Sequence, residues 1–322
     1  MTSVPVLGTE DRFDHPAMFY SSAEEYLEGT IPFIETGLGN GEPVAVAVPE
    51  HNLGAVRRAL GTGAERVLLV DMSEAGANPG RIIPGVLRTF ADAHPGRRVR
   101  IIGEPIWPGR SEDEYPACVQ HEALLNIAFN GRPVTKMCPY DVTGLDRRAI
   151  ADAEATHPVL IDRAGRRRSD RFDPDRILTD YNRPLTRAPL SAIERVADYA
   201  TLDNARWFVT AYGRSVGLTA MQLIDLEIAV TELLTNSIHH GGGLGTFRVW
   251  TDRHHLVCEV NDSGRITDPL VGRRPIDESG DQGRGLLLVN QIVDLMRMHT
   301  GPEGTTARIY LRLPSPELEP PE

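Results

Sequence analysis

Between Thr231 and Gly242 the chain reads TELLTNSIHHGG, and three of its polar residues, Glu232, Asn236 and His240, recur at steps of four. Leu226, Val230, Leu233, Leu234 and Ile238 recur at helical spacing through the same stretch, so the spacing predicts one helix with an apolar face. At about 100° per residue the three polar positions fall within about 80° of one another, next to the apolar arc. A half-buried ridge of carboxylate, amide and imidazole lines a cleft, where such groups meet a polar ligand. The plain alternative is a helix flank with Glu and Asn in water and a terminal His favoured by the helix dipole.

Two later stretches bear on that choice. VNDSG (260–264) puts Asp262 at the end of a strand pattern with Gly264 two residues on, and glycine permits a sharp turn and close approach of a ligand to backbone. GDQGRGLLLVNQIVD (280–294) sets Gly283 and Gly285 just before a strongly apolar helical pattern, whose N-terminal N–H groups favour an anion. Either stretch alone is weak, because a Gly-rich turn before a helix is more often simple chain geometry.

The elements that must position these residues follow from periodicity. Helical patterns cover roughly 200–215 and 219–240, strand-like runs cover 245–252 and 255–262, a helix lies near 285–295, and TTARIYLRL (305–313) closes the region as a strand. This order predicts an α/β sandwich with helices on one face of an antiparallel sheet. In the first half, VAVAV (44–48), RVLLVD (66–71), RVRIIG (98–103) and PVTKMC (133–138) alternate with helical patterns near 53–61, 80–93 and 112–129. Near-continuous apolar strands separated by helices predict a parallel sheet covered on both faces. The chain thus divides into an α/β domain over 12–160, a linker over 161–190 and a second domain over 191–315, followed by an acidic, Pro-rich tail after Leu313.

With 322 residues, 41% hydrophobic and 25% charged, the chain has the composition of a soluble globular protein and the length of two domains. A net charge of −11 leaves little attraction for phosphate backbones. The one basic run, RAGRRRSDR (163–171), lies among Pro, Asp and Arg and reads as a solvated linker, so no direct nucleic-acid role is expected. Cys118, Cys138 and Cys258 are odd in number and far apart, which fits a reducing cytoplasm. No run approaches the roughly 18 apolar residues of a membrane span. GLGNGE (37–42) precedes a strand and lacks a Gly-Lys-Ser/Thr ending, so it reads as a helix C-cap and turn and not as a phosphate loop.

In order and spacing the three stretches resemble the nucleotide-binding boxes of the GHKL ATPase superfamily, the group of gyrase and histidine kinases: ELLTNSIHH its N box, NDSG its first Gly box and GRGLLLVNQIVD its second. The absence of a long lid and the pattern Glu-x3-Asn-x3-His resemble the anti-sigma-factor serine kinases of bacterial partner switching. The resemblance implies a Bergerat-type α/β sandwich binding ATP and Mg²⁺. It implies that Asn236 is the Mg²⁺ ligand, that Glu232 is the general base, and that Asp262 accepts from the adenine amine. Gly264 would let adenine lie close to the chain, and Gly283 and Gly285, with Leu286 next on the helix, would leave backbone N–H groups free for phosphate. Thr306 matches a position beside the adenine, and His240 matches one that caps and packs near the nucleotide. One departure stands out: where the first Gly box usually reads Asp-x-Gly-x-Gly, Ile266 replaces the second glycine. The following DPLVGRRP (268–275) resembles a variant of actinobacterial two-domain anti-sigma regulators.

His15 to Tyr20, IPFIETGLGNGEPVAVAV, IIGEPIW (101–107), EALLN (122–126) and KMCPYD (136–141) resemble, in that order, the MEDS sensory domain. This implies a RecA-like sheet without its nucleotide loop and a small-molecule ligand. Candidates to line its site are His15, Glu104, Trp107, Glu122, Cys138 and Tyr140, each of which core packing also explains.

The resemblances imply an anti-sigma regulator that binds ATP–Mg²⁺, sequesters a sigma factor and phosphorylates a serine or threonine of an anti-anti-sigma partner under control of the sensory domain. Related kinases often dimerise, so a homodimer stays open. The rival reading keeps the nucleotide fold without phosphotransfer, as an ATP-gated binding protein; Glu232 favours the first and Ile266 the second. A sensor histidine kinase would need a phosphoacceptor His ahead of the ATPase region, and 160–200 contains none.

Overall fold

The computed structural model describes residues 13–275 and 283–314. The chain forms two compact units, one ending at Tyr181 and the other starting at Asn182. Both are α/β. No helix among the described residues is long and apolar enough to cross a membrane.

The first unit runs β1 (Pro16–Tyr20), α1 (Ala23–Gly39), β2 (Val44–Val48), α2 (Glu50–Leu60), β3 (Val67–Asp71), α3 (Met72–Ala75), α4 (Thr89–Asp92), β4 (Val99–Gly103), α5 (Tyr115–Ala128), β5 (Val134–Asp141), α6 (Arg147–Thr156), β6 (Val159–Asp162), β7 (Gly165–Arg168) and α7 (Pro174–Tyr181). Its sheet has the order β3-β2-β4-β5-β1-β6-β7. All pairings are parallel except the β6–β7 hairpin. Every residue of β2 is buried, as a central parallel strand covered on both faces requires. β5 is buried over seven of its eight residues, and alternation puts Lys136, Cys138 and Tyr140 on one face. α1 starts where Ser22 accepts a hydrogen bond from Glu25 N (3.2 Å), and it ends at Asn40, with Gly41 at φ 71°, so GLGNGE is a helix terminus and turn.

The segment expected as a linker over 161–190 is largely part of this unit. RAGRRRSDR makes the hairpin turn, with Gly165 at φ 109°, and then the edge strand β7, whose four residues are all exposed. Its arginines pair with acids nearby, Arg166 with Asp14 at 2.7 Å and Arg167 with Asp162 at 3.3 Å. α7 buries Ile177 and Tyr181 in the core of the unit. An edge strand with both faces in water has no hydrophobic alternation, so its composition resembles that of a linker.

The second unit runs β8 (Ile193–Ala197), α8 (Leu202–Ser215), α9 (Ala220–His240), β9 (Gly245–Thr251), β10 (His255–Asp262), α10 (Arg284–Ile292), β11 (Leu295–Gly301) and β12 (Gly304–Arg312). Its sheet, ordered β11-β12-β10-β9-β8, is antiparallel throughout. α9 opens with a reciprocal capping box between Thr219 and Gln222, and its buried Leu226, Val230, Leu233 and Leu234 meet Phe247, Val249, Cys258 and Ile309 in one core. Ahead of β8, Asn182 exchanges hydrogen bonds with the backbone of Thr300, donating to its oxygen at 2.8 Å and accepting from its nitrogen at 3.1 Å. The tail beyond Pro314 and residues 276–282 lie outside the described residues.

Gly304 opens β12 at φ 126°, where an added Cβ would overlap the carbonyl oxygen of Asp262. Because the obstacle is backbone and the φ is unsuited to a side chain, Gly304→Ala is expected to destabilise the second unit by about 2 kcal/mol or more. The urea midpoint of that unit measures it; an unchanged midpoint would mean that the strand start can shift freely.

Candidate functional site

α9 presents its apolar arc to the sheet and leaves Glu232 and Asn236 half-buried at the edge of that arc. The start of α10 lies against them. A Cβ on Gly285 would overlap Glu232 Oε2 and come within 3.5 Å of Asn236 Nδ2, so only glycine lets the helix start come this close. Gly283 occupies the N-cap in the left-handed region (φ 88°) and supplies no side-chain cap. The first turn of α10 therefore starts without a side chain at its N-cap, beside a carboxylate and an amide, an arrangement suited to a phosphate with its counter-cation.

Next to this point a cleft of about 310 Å³ opens between α9, β10, α10 and the segment after Asp262. Its apolar walls are Leu233, Val260, Ile266, Leu286, Met298 and Ala307, and its polar groups include Asn236, His240, Asp262 and Thr305. The volume falls in the range of small-ligand sites. Asp262 ends β10 with both carboxylate oxygens engaged: Gly264 N donates to Oδ1 and Ser237 Oγ to Oδ2, each at 2.7 Å. The side chain is fixed in place yet half-exposed to the cleft. Thr305 Oγ1 donates to Gly264 O at 2.9 Å and lies 2.9 Å from Thr300 Oγ1, which accepts from Ile266 N at 3.0 Å. An apolar slot with an anchored carboxylate suits a flat heteroaromatic ring bearing an N–H donor. Farther along, Gly272 (φ 69°) seats against Leu286, and Asn290 Nδ2 donates to its carbonyl at 3.1 Å.

The structure brings Glu232, Asn236, His240, Asp262, Gly264, Gly283, Gly285 and Leu286 around this one cleft. Thr306 is elsewhere. It lies on the opposite face of β12, where Asn261 Nδ2 donates to its hydroxyl at 2.9 Å, and Thr305 faces the cleft instead. Two adjacent threonines on a strand point to opposite faces, and the pairing of Asp262 with Thr305 decides which one faces in. Ser237, outside the motif positions, also belongs to the site, and a serine inside the apolar arc of a helix is itself a signal of a buried partner. Ile266, in place of the second box glycine, is half-buried against the core.

In the first unit, His15, Glu122 and Cys138 come together in a fully buried cluster with Lys136 and His157, two residues not singled out in the sequence. Burial alone would raise the carboxyl of Glu122, but Lys136 and the two histidines outweigh it and hold it well below its ordinary range. Burial, then the neighbouring His157, pushes His15 down to about 3. Tyr140 packs edge-on against His157 with ring centroids 5.5 Å apart. Glu104 is separate: it accepts from Asn52 Nδ2 at 2.8 Å and Tyr20 Oη at 3.5 Å, and burial pushes its carboxyl up to about 8. Trp107 lies under the Arg110 guanidinium, 3.6 Å from its ring centre, in a crevice just beyond the C-terminal ends of β4 and β5.

The antiparallel sheet, the α9 ridge and the glycine-bordered cleft define the class of the second unit, and family comparison agrees. Residues 196–311 match the model of the histidine kinase-like ATPase domain, and residues 14–158 match that of MEDS, the methanogen/methylotroph, DcmR sensory domain. The first unit is thus similar to MEDS sensory domains and the second to histidine kinase-like ATPase domains. Over 107 residues it is 31% identical to the serine-protein kinase RsbW of Halalkalibacterium halodurans, an alignment covering 29% of this chain and 65% of that protein. The chain thus spans just under two thirds of the relative's length. A crystal structure of the RsbU and RsbW domains of Rv1364c from Mycobacterium tuberculosis aligns over 40% of this chain and 34% of that one, with 20% identity and a TM-score of 0.31.

Gly285→Ala is expected to leave the fold intact, because its Cβ would displace the end of a flexible side chain, while moving Glu232 off the α10 start. If ATP–Mg²⁺ is the ligand, its affinity measured by calorimetry should fall at least about tenfold, a loss of about 1.4 kcal/mol; unchanged affinity would separate Gly285 from the ligand. For Glu104, the folded chain holds a proton up to about pH 8 and the unfolded chain only to about 4.5, so folding takes up a proton between these values and stability falls as pH rises through them. The thermal midpoint of Glu104→Gln relative to the parent should therefore rise between about pH 5 and 8 and then level off. A flat difference would mean that Glu104 titrates normally.

Proposed function

We propose that the second domain binds ATP–Mg²⁺ and that the chain is an anti-sigma regulator, sequestering a sigma factor and phosphorylating a serine or threonine on an anti-anti-sigma partner. The observation that carries this reading is the meeting of Glu232, Asn236 and the Gly283–Gly285 helix start beside the Asp262 cleft. Asp262 would accept from the adenine amine while Ser237 and Gly264 N hold its carboxylate in place. The α10 N–H groups would bind phosphate oxygens, and Asn236 Oδ1 would hold Mg²⁺, which supplies charge neutralisation across the phosphates. Glu232 would take the proton from the partner's hydroxyl as that oxygen bonds to the γ-phosphorus and the bond to ADP breaks. The similarity to an RsbW serine-protein kinase supports this assignment.

A second reading has its own observation. Ile266 is anchored by its backbone to Thr300 and by its side chain to the cleft wall, where the family usually has glycine. An ATP-gated binding protein without transfer would keep every other contact. For the sensory domain, the crevice of about 520 Å³ bordered by Trp107, Arg110, Tyr115 and Arg148 supports a small-ligand site, since ligands of parallel α/β sheets bind beyond the carboxyl ends of the strands.

Substitution separates the two readings. Glu232→Gln should keep ATP and sigma-factor binding but lower transfer by roughly 10²–10⁴-fold, and Asn236→Ala should lose Mg²⁺-dependent ATP binding and transfer together. Phosphoserine or phosphothreonine on co-purified partners, read by mass spectrometry, is the assay. A parent chain that grips a sigma factor with ATP but transfers no phosphate would establish the binding-only reading.

A further inference from the structure

The buried cluster of the first unit has the geometry of a metal site. His15, just before β1, Glu122 on α5, Cys138 on β5 and His157, between α6 and β6, each offer one ligand atom, and the four atoms lie within 4.8 Å of one another. Glu122 Oε2 lies 3.1 Å from His15 Nε2, 3.2 Å from His157 Nε2 and 3.4 Å from Cys138 Sγ, and Cys138 Sγ lies 3.3 Å from His15 Nε2. A tetrahedral ion with bonds of about 2.0–2.3 Å needs ligand separations of about 3.3–3.8 Å. All four side chains are fully buried, and the rings of Phe13 and Tyr140 pack on the two histidines.

The far nitrogens of the histidines fix which lone pairs point inward. His157 Nδ1 lies 2.8 Å from Ala153 O, so it carries the proton and donates. His15 Nδ1 lies 3.3 Å from Asn126 Oδ1, and Asn126 Nδ2 is committed to the carbonyls of Glu122, Ala123 and Thr156, which leaves Oδ1 as the acceptor. Both Nε2 atoms then face the same carboxylate oxygen, at 3.1 and 3.2 Å, and in the neutral rings they present lone pairs to it. Neutral rings in that setting repel the carboxylate unless a positive centre stands among them, either a proton on Nε2 or a metal ion that takes the proton's place. Lys136 does not supply it: its Nζ sits 3.3 Å from the other oxygen, Oε1, and 2.7 Å from Cys138 Sγ. Acceptors behind each histidine and a cation beside the carboxylate and sulfur are the outer shell of a metal site.

We propose that His15, Glu122, Cys138 and His157 bind a divalent transition-metal ion tetrahedrally, zinc by its fit to a sulfur, two imidazole nitrogens and a carboxylate oxygen. On binding, the Cys138 thiol gives up its proton and sulfur bonds to the metal, and any proton on a histidine Nε2 leaves as that nitrogen bonds to the metal. Lys136 stays outside as donor to the thiolate and to Oε1. The ion ties the start of β1, α5, β5 and the α6–β6 junction together, so loading stabilises the sensory domain.

The test uses the full-length chain, kept reduced, stripped with a chelator and titrated with Co²⁺. Expected are one equivalent per chain, the visible absorption of tetrahedral cobalt with a thiolate-to-cobalt band, displacement by Zn²⁺, and a higher thermal midpoint of the first domain. Cys138→Ser should remove the thiolate band and Cys258→Ala should keep it. Asn126→Ala, which frees the ring of His15, should weaken Co²⁺ binding about 10–100-fold. A folded parent chain that gives no tetrahedral spectrum with Co²⁺ overturns the proposal, even if Cys138→Ser fails to fold. A thiolate band that survives in folded Cys138→Ser overturns it too.

Discussion

The cleft of the second unit depends on how closely three pieces of backbone approach one residue, Asp262. Asp262 reaches Ser237 on α9 because Gly241, Gly264 and Gly304 have no Cβ, and a Cβ at any of them would collide with Asp262 atoms. α9, β10 and the start of β12 are thereby tied at one residue. An isolated carboxylate half-buried in an apolar slot would be costly; two donors at 2.7 Å offset that cost and fix its direction. Glu232 and Asn236 acquire a common focus for the same steric reason, the missing side chain of Gly285.

The first unit handles buried carboxylates in two ways. Glu104 has only a neutral amide and a phenol as partners, so burial prevails and the carboxyl holds its proton up to about 8. Glu122 has a lysine ammonium, two imidazoles and a thiol around it and is held ionised despite being as deeply buried. The two glutamates sit in one sheet-and-helix framework, and their charge follows from the nearest atoms, not from depth.

Much of this was legible in the sequence, for a physical reason. Strands buried on both faces, such as β2, announce themselves as apolar runs, and α9 shows its apolar arc and polar ridge at the right period. Edge strands do not: β7 is exposed throughout and β8 is exposed in four of five residues, so neither has an inside to write into its pattern. In the cleft, motif order located the glycines, Asp262 and the ridge, whereas choosing Thr305 over Thr306 needs the strand register. The histidine, lysine and cysteine cluster was only partly visible. His157 and Lys136 have no sequence neighbour that marks them, and only the parallel crossover of β1, β5 and β6 brings them to His15.

Asn182 is the first residue after α7, and its amide grips the backbone of Thr300, whose hydroxyl in turn holds Ile266 N at the cleft. Within the second unit, three hydrogen bonds thus link its first residue to the loop after Asp262. At about 0.5–1.5 kcal/mol net for each bond, such a relay can transmit only a few kcal/mol before it parts. That ceiling makes the link a latch and not a weld: it holds the loop after Asp262 against the start of the second unit with a grip of no more than a few kcal/mol.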